Sequence, residues 1–150
     1  MKKSPQSQKF EQVLRSSKIV AGGFMGTDTR AVDEIIDADL AELAKLGKTA
    51  AETADRMQQI TDAAKPGLGS WVDVGSSLQA VVDEAKGFLV CPWPHPGRFC
   101  KRLTIVRNTE TGAQIQWSDL NIHLIAAHGF FEGIGSAFRL EPNELIKLIF

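Results

Sequence analysis

All of the cysteine and histidine residues of this chain lie in one stretch. Cys91 and His95 belong to the sequence Cys-Pro-Trp-Pro-His, and His123 and His128 follow on a segment with helical features. A thiolate and neutral imidazoles are good zinc ligands, and each can reach the required protonation state near neutral pH. We therefore predict a metal site, with zinc as the ion, formed by Cys91, His95, His123 and His128.

The turn positions its two candidate ligands better for metal binding than the helix does. Three prolines alternate through residues 92–96, and each fixes a backbone φ angle, so the ligands of the turn are held in place before a metal binds. The separation of His123 from His128 places them about 140° apart around an ideal α-helix. We therefore expect a tightened or widened last turn next to Gly129. Cys100 is a spare candidate ligand.

The order of elements across residues 91–128 resembles the treble-clef type of zinc site. A turn with ligands is followed by a hairpin and then by a helix with further ligands. This chain has Cys-x3-His where that type usually has Cys-x2-Cys. The resemblance implies one tetrahedral ion that the turn and the helix share.

Other interpretations of these residues stay open. Cys91 can be a small buried hydrophobic residue beside histidines of ordinary structural roles, or part of a metal-free catalytic pair. If a metal is bound, four protein ligands make the site structural, whereas three leave a position for water and favour a small metal-dependent or Cys-dependent hydrolase. Glu132 is then the nearest candidate base, although a glutamate in a surface loop is expected to be solvated. The sequence does not decide whether the protein is an enzyme.

Charge is distributed unevenly along the chain. Residues 28–62 carry a net charge of -5, whereas residues 86–109 carry +5 and contain Phe88, Trp93 and Phe99. Basic and aromatic side chains together can hold phosphates and stack on bases, so binding of nucleic acid through residues 86–109 is an alternative function. A solvent-facing strand explains the same pattern and is favoured.

A second candidate site lies in the glycine-rich loop from Gly129 to Arg139. Backbone N–H groups of such a loop can bind an anion, with Arg98 and Arg139 as the charged partners. A tightly packed loop explains the glycines equally well.

Length and composition predict a single α+β domain over residues 1–150. The chain is 43% hydrophobic and 23% charged with a net charge of -1, values typical of a globular domain and not of a dedicated nucleic-acid binder. Its apolar runs are shorter than the roughly 20 residues needed to cross a bilayer. The N-terminus lacks the apolar stretch of a secretory signal, so we expect a cytoplasmic protein without a membrane partner. A homo-oligomer stays open.

Periodicity and capping residues predict N-terminal helices packed on a small antiparallel sheet of four or five strands. A mobile tail (1–8) leads to a short helix near Phe10, and Thr27, Asp28 or Thr29 caps the next helix. The predicted helices cover 30–46, 50–65 and 120–128, with a last one from Pro142. The predicted strands lie near 71–74, 78–82, 88–91, 103–107 and 113–117.

Overall fold

The computed structural model describes residues 5–16 and 23–150, which form five helices and a four-stranded antiparallel sheet. The strands lie side by side in chain order, β1-β2-β3-β4. The predicted α+β class is confirmed. The helices are α1 (Pro5–Ser16), α2 (Val32–Lys45), α3 (Ala50–Ala64), α4 (Asp119–His128) and α5 (Pro142–Ile149); the strands are β1 (Val72–Gly75), β2 (Leu78–Leu89), β3 (Phe99–Asn108) and β4 (Gln114–Ser118).

Helix α1 begins inside the segment 1–8 that the sequence predicts as a mobile tail. Residues 5–8 are helical, with Pro5 at the first position, where the missing N–H of proline is not needed. Residues 1–4 lie outside the described part of the chain. Residues 17–22 also lie outside it, whereas Gly23 and Gly26 lie in a turn before α2.

Helix α2 is not capped as the sequence predicts. Its N-cap is Ala31, which has no capping side chain, and the N–H of Val32 donates to the Glu11 carboxylate of α1 at 3.0 Å. Asp28 binds Arg30 and the N–H of Ile134 instead. The Arg30 guanidinium is the main reason that the pKa of Asp28 lies well below its usual range. A contact between two helices therefore replaces the expected local cap.

Of the four or five antiparallel strands expected, the described residues form four, and the run near 88–91 is not a separate strand. Phe88 and Leu89 continue β2 past an irregularity between Glu84 and Phe88, and Cys91 already belongs to the following turn. Pairing of β3 with β4 stops at Leu103 opposite Ser118. Residues 99–102 of β3 therefore extend beyond the end of β4.

Two hydrophobic clusters fill the interior. The first packs α3 and α5 against the sheet around Trp117, whose indole N–H donates to Thr61 at 3.0 Å. The second lies among α1, α2 and α4 and includes the buried side chain of Cys91. Within the described ranges, no helix is both long enough and apolar enough to cross a membrane.

Candidate metal centre

The nine-residue connection between β2 and β3 brings two of the predicted ligands to the end of α4. The ligand atoms of Cys91, His95, His123 and His128 all lie within 4.8 Å of one another, in a group that could hold a metal ion. The Nε2 atom of His95 is 3.1 Å from Nε2 of His123 and 3.2 Å from Nε2 of His128. The Cys91 Sγ atom is 3.5 Å from Nε2 of His128.

These separations are close to the edges of a zinc tetrahedron. Zn–N bonds of about 2.05 Å and a Zn–S bond of about 2.3 Å at tetrahedral angles place two nitrogens about 3.3 Å apart and a nitrogen and a sulfur about 3.6 Å apart. The three contacts described above differ from these values by a few tenths of an ångström. The other three of the six separations extend up to 4.8 Å, so the cluster must contract by about 1 Å at its widest to surround an ion of this size.

The tautomer of His95 directs a lone pair into the cluster. Its Nδ1 atom lies 3.0 Å from the carbonyl oxygen of Pro96, and because a carbonyl only accepts, Nδ1 carries the proton. The Nε2 atom of His95 is then free to coordinate, as in metal sites where a backbone carbonyl orients the ligating imidazole. Without an ion, both His123 and His128 would have to donate an N–H to the single lone pair on Nε2 of His95. An ion accepts lone pairs from all three rings.

Helix α4 holds both of its histidines in the cluster without the expected distortion. The helix stays α-helical to His128, and the N–H of Gly129 donates to the carbonyl of Ile125 at 3.0 Å, which is ordinary α-helical spacing. The two imidazole rings are nearly perpendicular, with centroids 5.3 Å apart. His95 lies between the two rings and contacts both. The side chains therefore converge without a distortion of the helical backbone.

The surroundings shift the pKa values of three of the four candidate ligands. Burial, followed by the neighbouring histidines, lowers the pKa values of His123 and His128, so both rings are neutral at neutral pH. Burial raises the pKa of the Cys91 thiol, although a hydrogen bond from the backbone of Trp93 acts in the opposite direction. A metal ion must therefore displace the thiol proton when it binds.

Aromatic rings enclose the cluster, which the sequence did not indicate. Trp93 stacks on the ring of His128 with centroids 4.1 Å apart, and Phe99 stacks on His123 at 4.3 Å. Phe10 of α1 packs against the edge of Trp93 at 4.8 Å. Trp93 and Phe99 were predicted as candidates for base stacking, but they cover the histidines instead. Their closeness in sequence to Cys91 and His95 was the available signal.

The remaining cysteine lies apart from the cluster. Cys100 is exposed on β3, and neither cysteine forms a disulfide. It pairs with Phe88 in the sheet and is not one of the grouped ligands. Cys100 therefore provides an internal control for the role of Cys91.

Glu132 differs most from its expected surroundings. It is 2% exposed, and its carboxylate accepts hydrogen bonds from Asn121 Nδ2 at 2.8 Å and from Ser136 Oγ at 2.7 Å. Burial raises its pKa to about 7, against the opposing effect of these bonds. The expectation of a solvated loop glutamate is wrong, because the loop folds back over the start of α4.

The predicted anion-binding arginines have other contacts in the structure. Arg139 donates to Asp39 and Glu141, and the Arg98 guanidinium lies 4.7 Å from the centre of the Phe88 ring. The N–H of Gly133 donates to the carbonyl of Phe24 at 2.8 Å, so this loop donor is used internally. The anion site stays a prediction that these contacts do not support.

The basic stretch 86–109 is partly engaged in structural contacts. Arg102 forms ion pairs with Glu84 and Asp119, and Arg107 lies over the ring of Trp71 at 3.7 Å. Lys86, Arg98 and Lys101 are exposed. Nucleic-acid binding by this stretch also stays a prediction.

Searches for a matching protein family, for a similar curated protein and for a similar solved structure each find no match to this chain. Function is therefore argued from the geometry of the site itself.

Proposed function

We propose that this protein is a zinc-binding structural or binding module, in which one ion is held by Cys91, His95, His123 and His128. The observation that supports it is the convergence of four suitable donor atoms within 4.8 Å of one another, with three of their separations close to tetrahedral edges. Mixed sulfur and nitrogen donors suit zinc better than magnesium or calcium, which prefer oxygen.

A structural role is favoured over a catalytic one by the number of donors. Four protein ligands complete a tetrahedral shell, whereas a hydrolytic zinc keeps a position for water. The group of possible ligand atoms contains no carboxylate that could activate such a water. Glu132, the base considered from the sequence, already accepts two hydrogen bonds elsewhere. The hydrolase alternative would need one of the four ligands to stay off the metal.

Metal content tests this proposal directly. Protein purified without an affinity tag or chelator should contain about one zinc per chain by elemental analysis. Cys91→Ser and His123→Ala should each lower the zinc content well below half, because each removes one of the four donors. After replacement with Co²⁺, the wild type should show the absorption of a tetrahedral site with a thiolate-to-cobalt band.

Cys100→Ser is the matched control, since it removes the other thiol without touching the cluster. This variant should keep both its zinc and its thiolate-to-cobalt band, whereas Cys91→Ser should lose the band. A metal-free wild type would rule out the proposal. Equal loss of metal from the two cysteine variants would show that Cys91 is not the ligand.

A further inference from the structure

A cavity of about 260 Å³ lies where β3 extends beyond β4. Strands β2 and β3, the start of α4 and the loop after α4 all contribute to its walls. The apolar part of the wall consists of Ala85, Leu89, Leu103, Leu120 and Phe138. Such a mostly apolar hollow with a few polar groups is the usual form of a small-molecule site.

Glu132 lines this cavity with an unfavourable backbone conformation and a buried carboxyl group. Its φ angle is 67°, in the left-handed region that favours glycine, although Gly133 is the adjacent residue. Its carboxyl group is also removed from water, which disfavours the charged form. Strained backbone and a buried ionisable group at one residue are features that recur at functional sites.

The carboxylate of Glu132 can accept further hydrogen bonds. An ionised carboxylate offers about four lone-pair positions, and Asn121 and Ser136 use two of them. Both neighbours already donate, so a ligand that completes the set must be a donor as well.

The charges around the cavity favour a cation. Arg102, which lines it, is bound by two acids, Glu84 and Asp119, and Asp83 lies at the rim. Asp119 Oδ1 is buried and accepts no hydrogen bond among the described residues. Lys101 also lines the cavity but is exposed. The lining acids Asp83 and Glu132 equal the lining bases in number, but Arg102 is already paired, which leaves two acids facing one unpaired base, the exposed Lys101.

We propose that this cavity is a binding site for a small primary amine, whose apolar body packs on the leucines and Phe138 and whose ammonium group donates to Glu132. The nearby Arg139 donates to the backbone carbonyl of Glu132 and not to its carboxylate, so a cation in the cavity supplies the direct partner. Because burial raises the pKa of Glu132 to about 7, the carboxylate gains from such a partner at neutral pH. This site is separate from the metal centre and does not depend on zinc binding.

Three probes of matched size test the charge preference. The cavity has the liquid volume of about nine water molecules at about 30 Å³ each, which suits 2-phenylethylamine. Its neutral analogue is 2-phenylethanol, and 3-phenylpropanoate is an anionic one. Calorimetry or NMR titration with the full chain should show the amine binding at least about tenfold more tightly than the other two, a difference of about 1.4 kcal/mol.

Variants tie this preference to the cavity. Glu132→Gln keeps the size of the side chain and removes the charge; its amide oxygen can still accept from Asn121, while the Ser136 hydroxyl must turn to accept from its NH2 group. This variant should abolish the preference for the amine while the alcohol binds as before. Leu103→Trp should fill the cavity and prevent binding of the amine. Glu110→Gln, an exposed acid in the turn between β3 and β4, should change nothing.

Zinc content measured on the same variants keeps this test separate from that of the metal centre. The proposal would be overturned if no probe binds at millimolar concentration, if the alcohol or the carboxylate binds as tightly as the amine, or if the preference survives in Glu132→Gln. Tight binding of the amine to folded Leu103→Trp would equally overturn it.

Discussion

His95 is the residue that joins the two halves of the candidate metal centre. Its Nε2 atom contacts both helical histidines, and its Nδ1 atom is fixed by the carbonyl of Pro96. The rigid turn thereby supplies the donor that lies between two rings on one helix. A histidine pair that is poorly spaced for chelation becomes usable because the third ligand comes from outside the helix.

Glu132 should make stability depend on pH. The unfolded chain releases this proton near pH 4.5, whereas the folded chain keeps it to about pH 7. In this window the unfolded state binds fewer protons, so the free energy of unfolding falls as pH rises, and the loss is complete above about pH 7. We expect Glu132→Gln to remove this fall and to gain up to about 3 kcal/mol on the wild type between pH 5 and 8.

Urea unfolding at several pH values measures this effect. The difference between wild type and Glu132→Gln isolates the carboxyl group from the histidines that titrate in the same range. The exposed substitution Glu110→Gln should run parallel to the wild type. If the Glu132→Gln curve also ran parallel to the wild type, Glu132 would be ionised in the folded protein with an ordinary pKa.

At the residue scale, the sequence predicted the members of the Cys/His cluster but not the buried acid. Cys91 and the histidines are recognisable because their types are rare in this chain and concentrated in one segment. The burial of Glu132 depends on where the loop after α4 packs, and no local pattern encodes that contact. The same limit applies to Trp93 and Phe99, whose hydrophobicity was visible but whose partners were not.

At the scale of elements, the position that ends α4 requires a glycine. Gly129 has a φ angle of 63°, and a Cβ atom there would meet both terminal methyl groups of Leu40 at 3.3 Å. We expect Gly129→Ala to lower the free energy of unfolding by about 2 kcal/mol, through the left-handed backbone and the crowding of α2 together. Chemical denaturation of the metal-free protein measures it without a contribution from the ion.

Gly47→Ala is the matched substitution. Gly47 follows α2 with a φ angle of 72°, but no atom lies within 4 Å of the position of its added Cβ. This variant should lose only the backbone contribution, about 1 kcal/mol. Equal losses from the two variants would mean that α2 moves aside without cost and that the contact at Gly129 is not tight.

Elements with local signals were the ones the sequence predicted well. Thr49 and Ser118 each accept a backbone N–H at the start of α3 and α4, which begin within a residue of their predicted starts, because the capping side chain and the helix are neighbours in sequence. The start of α2 was mispredicted because its partner, Glu11, lies on another helix. The run near 88–91 was expected as a separate strand because the composition suggested a break before it. In the structure an irregularity between Glu84 and Phe88 lets β2 continue instead.

At the scale of the whole molecule, the candidate metal centre lies beside the second hydrophobic cluster, and α4, which carries two of its ligands, contributes side chains to both clusters. Cys91 is buried in the cluster formed with α1, α2 and α4, whereas the sheet packs mainly on α3 and on the other face of α4. The overall α+β arrangement followed from periodicity alone. The division into two clusters did not, because it depends on which apolar faces meet.

Removal of the metal should therefore loosen the molecule unevenly. Phe10 reaches the centre through Trp93, so α1 and the connection between β2 and β3 are expected to lose protection when zinc is chelated. Their amide exchange should become at least about tenfold faster, while α3 and the central strands change little. Hydrogen exchange followed by mass spectrometry, with and without chelator, measures both regions in one sample.

Cys91→Ser should reproduce this pattern without chelator, and Cys100→Ser should not. Exchange that increases uniformly over the chain would indicate that the metal stabilises the molecule only as a whole. Unchanged exchange in α1 would separate that helix from the centre.

The stacking of Trp93 on His128, with ring planes only 8° apart, has an optical consequence. An imidazole that gains a proton or coordinates a metal changes its ability to quench the excited state of an indole in contact with it. Trp93 emission should therefore respond to the occupancy of the neighbouring ring, whereas the indole of Trp117 lies in the other cluster and serves as a background signal. The molecule thus carries its own fluorescent reporter of the metal centre.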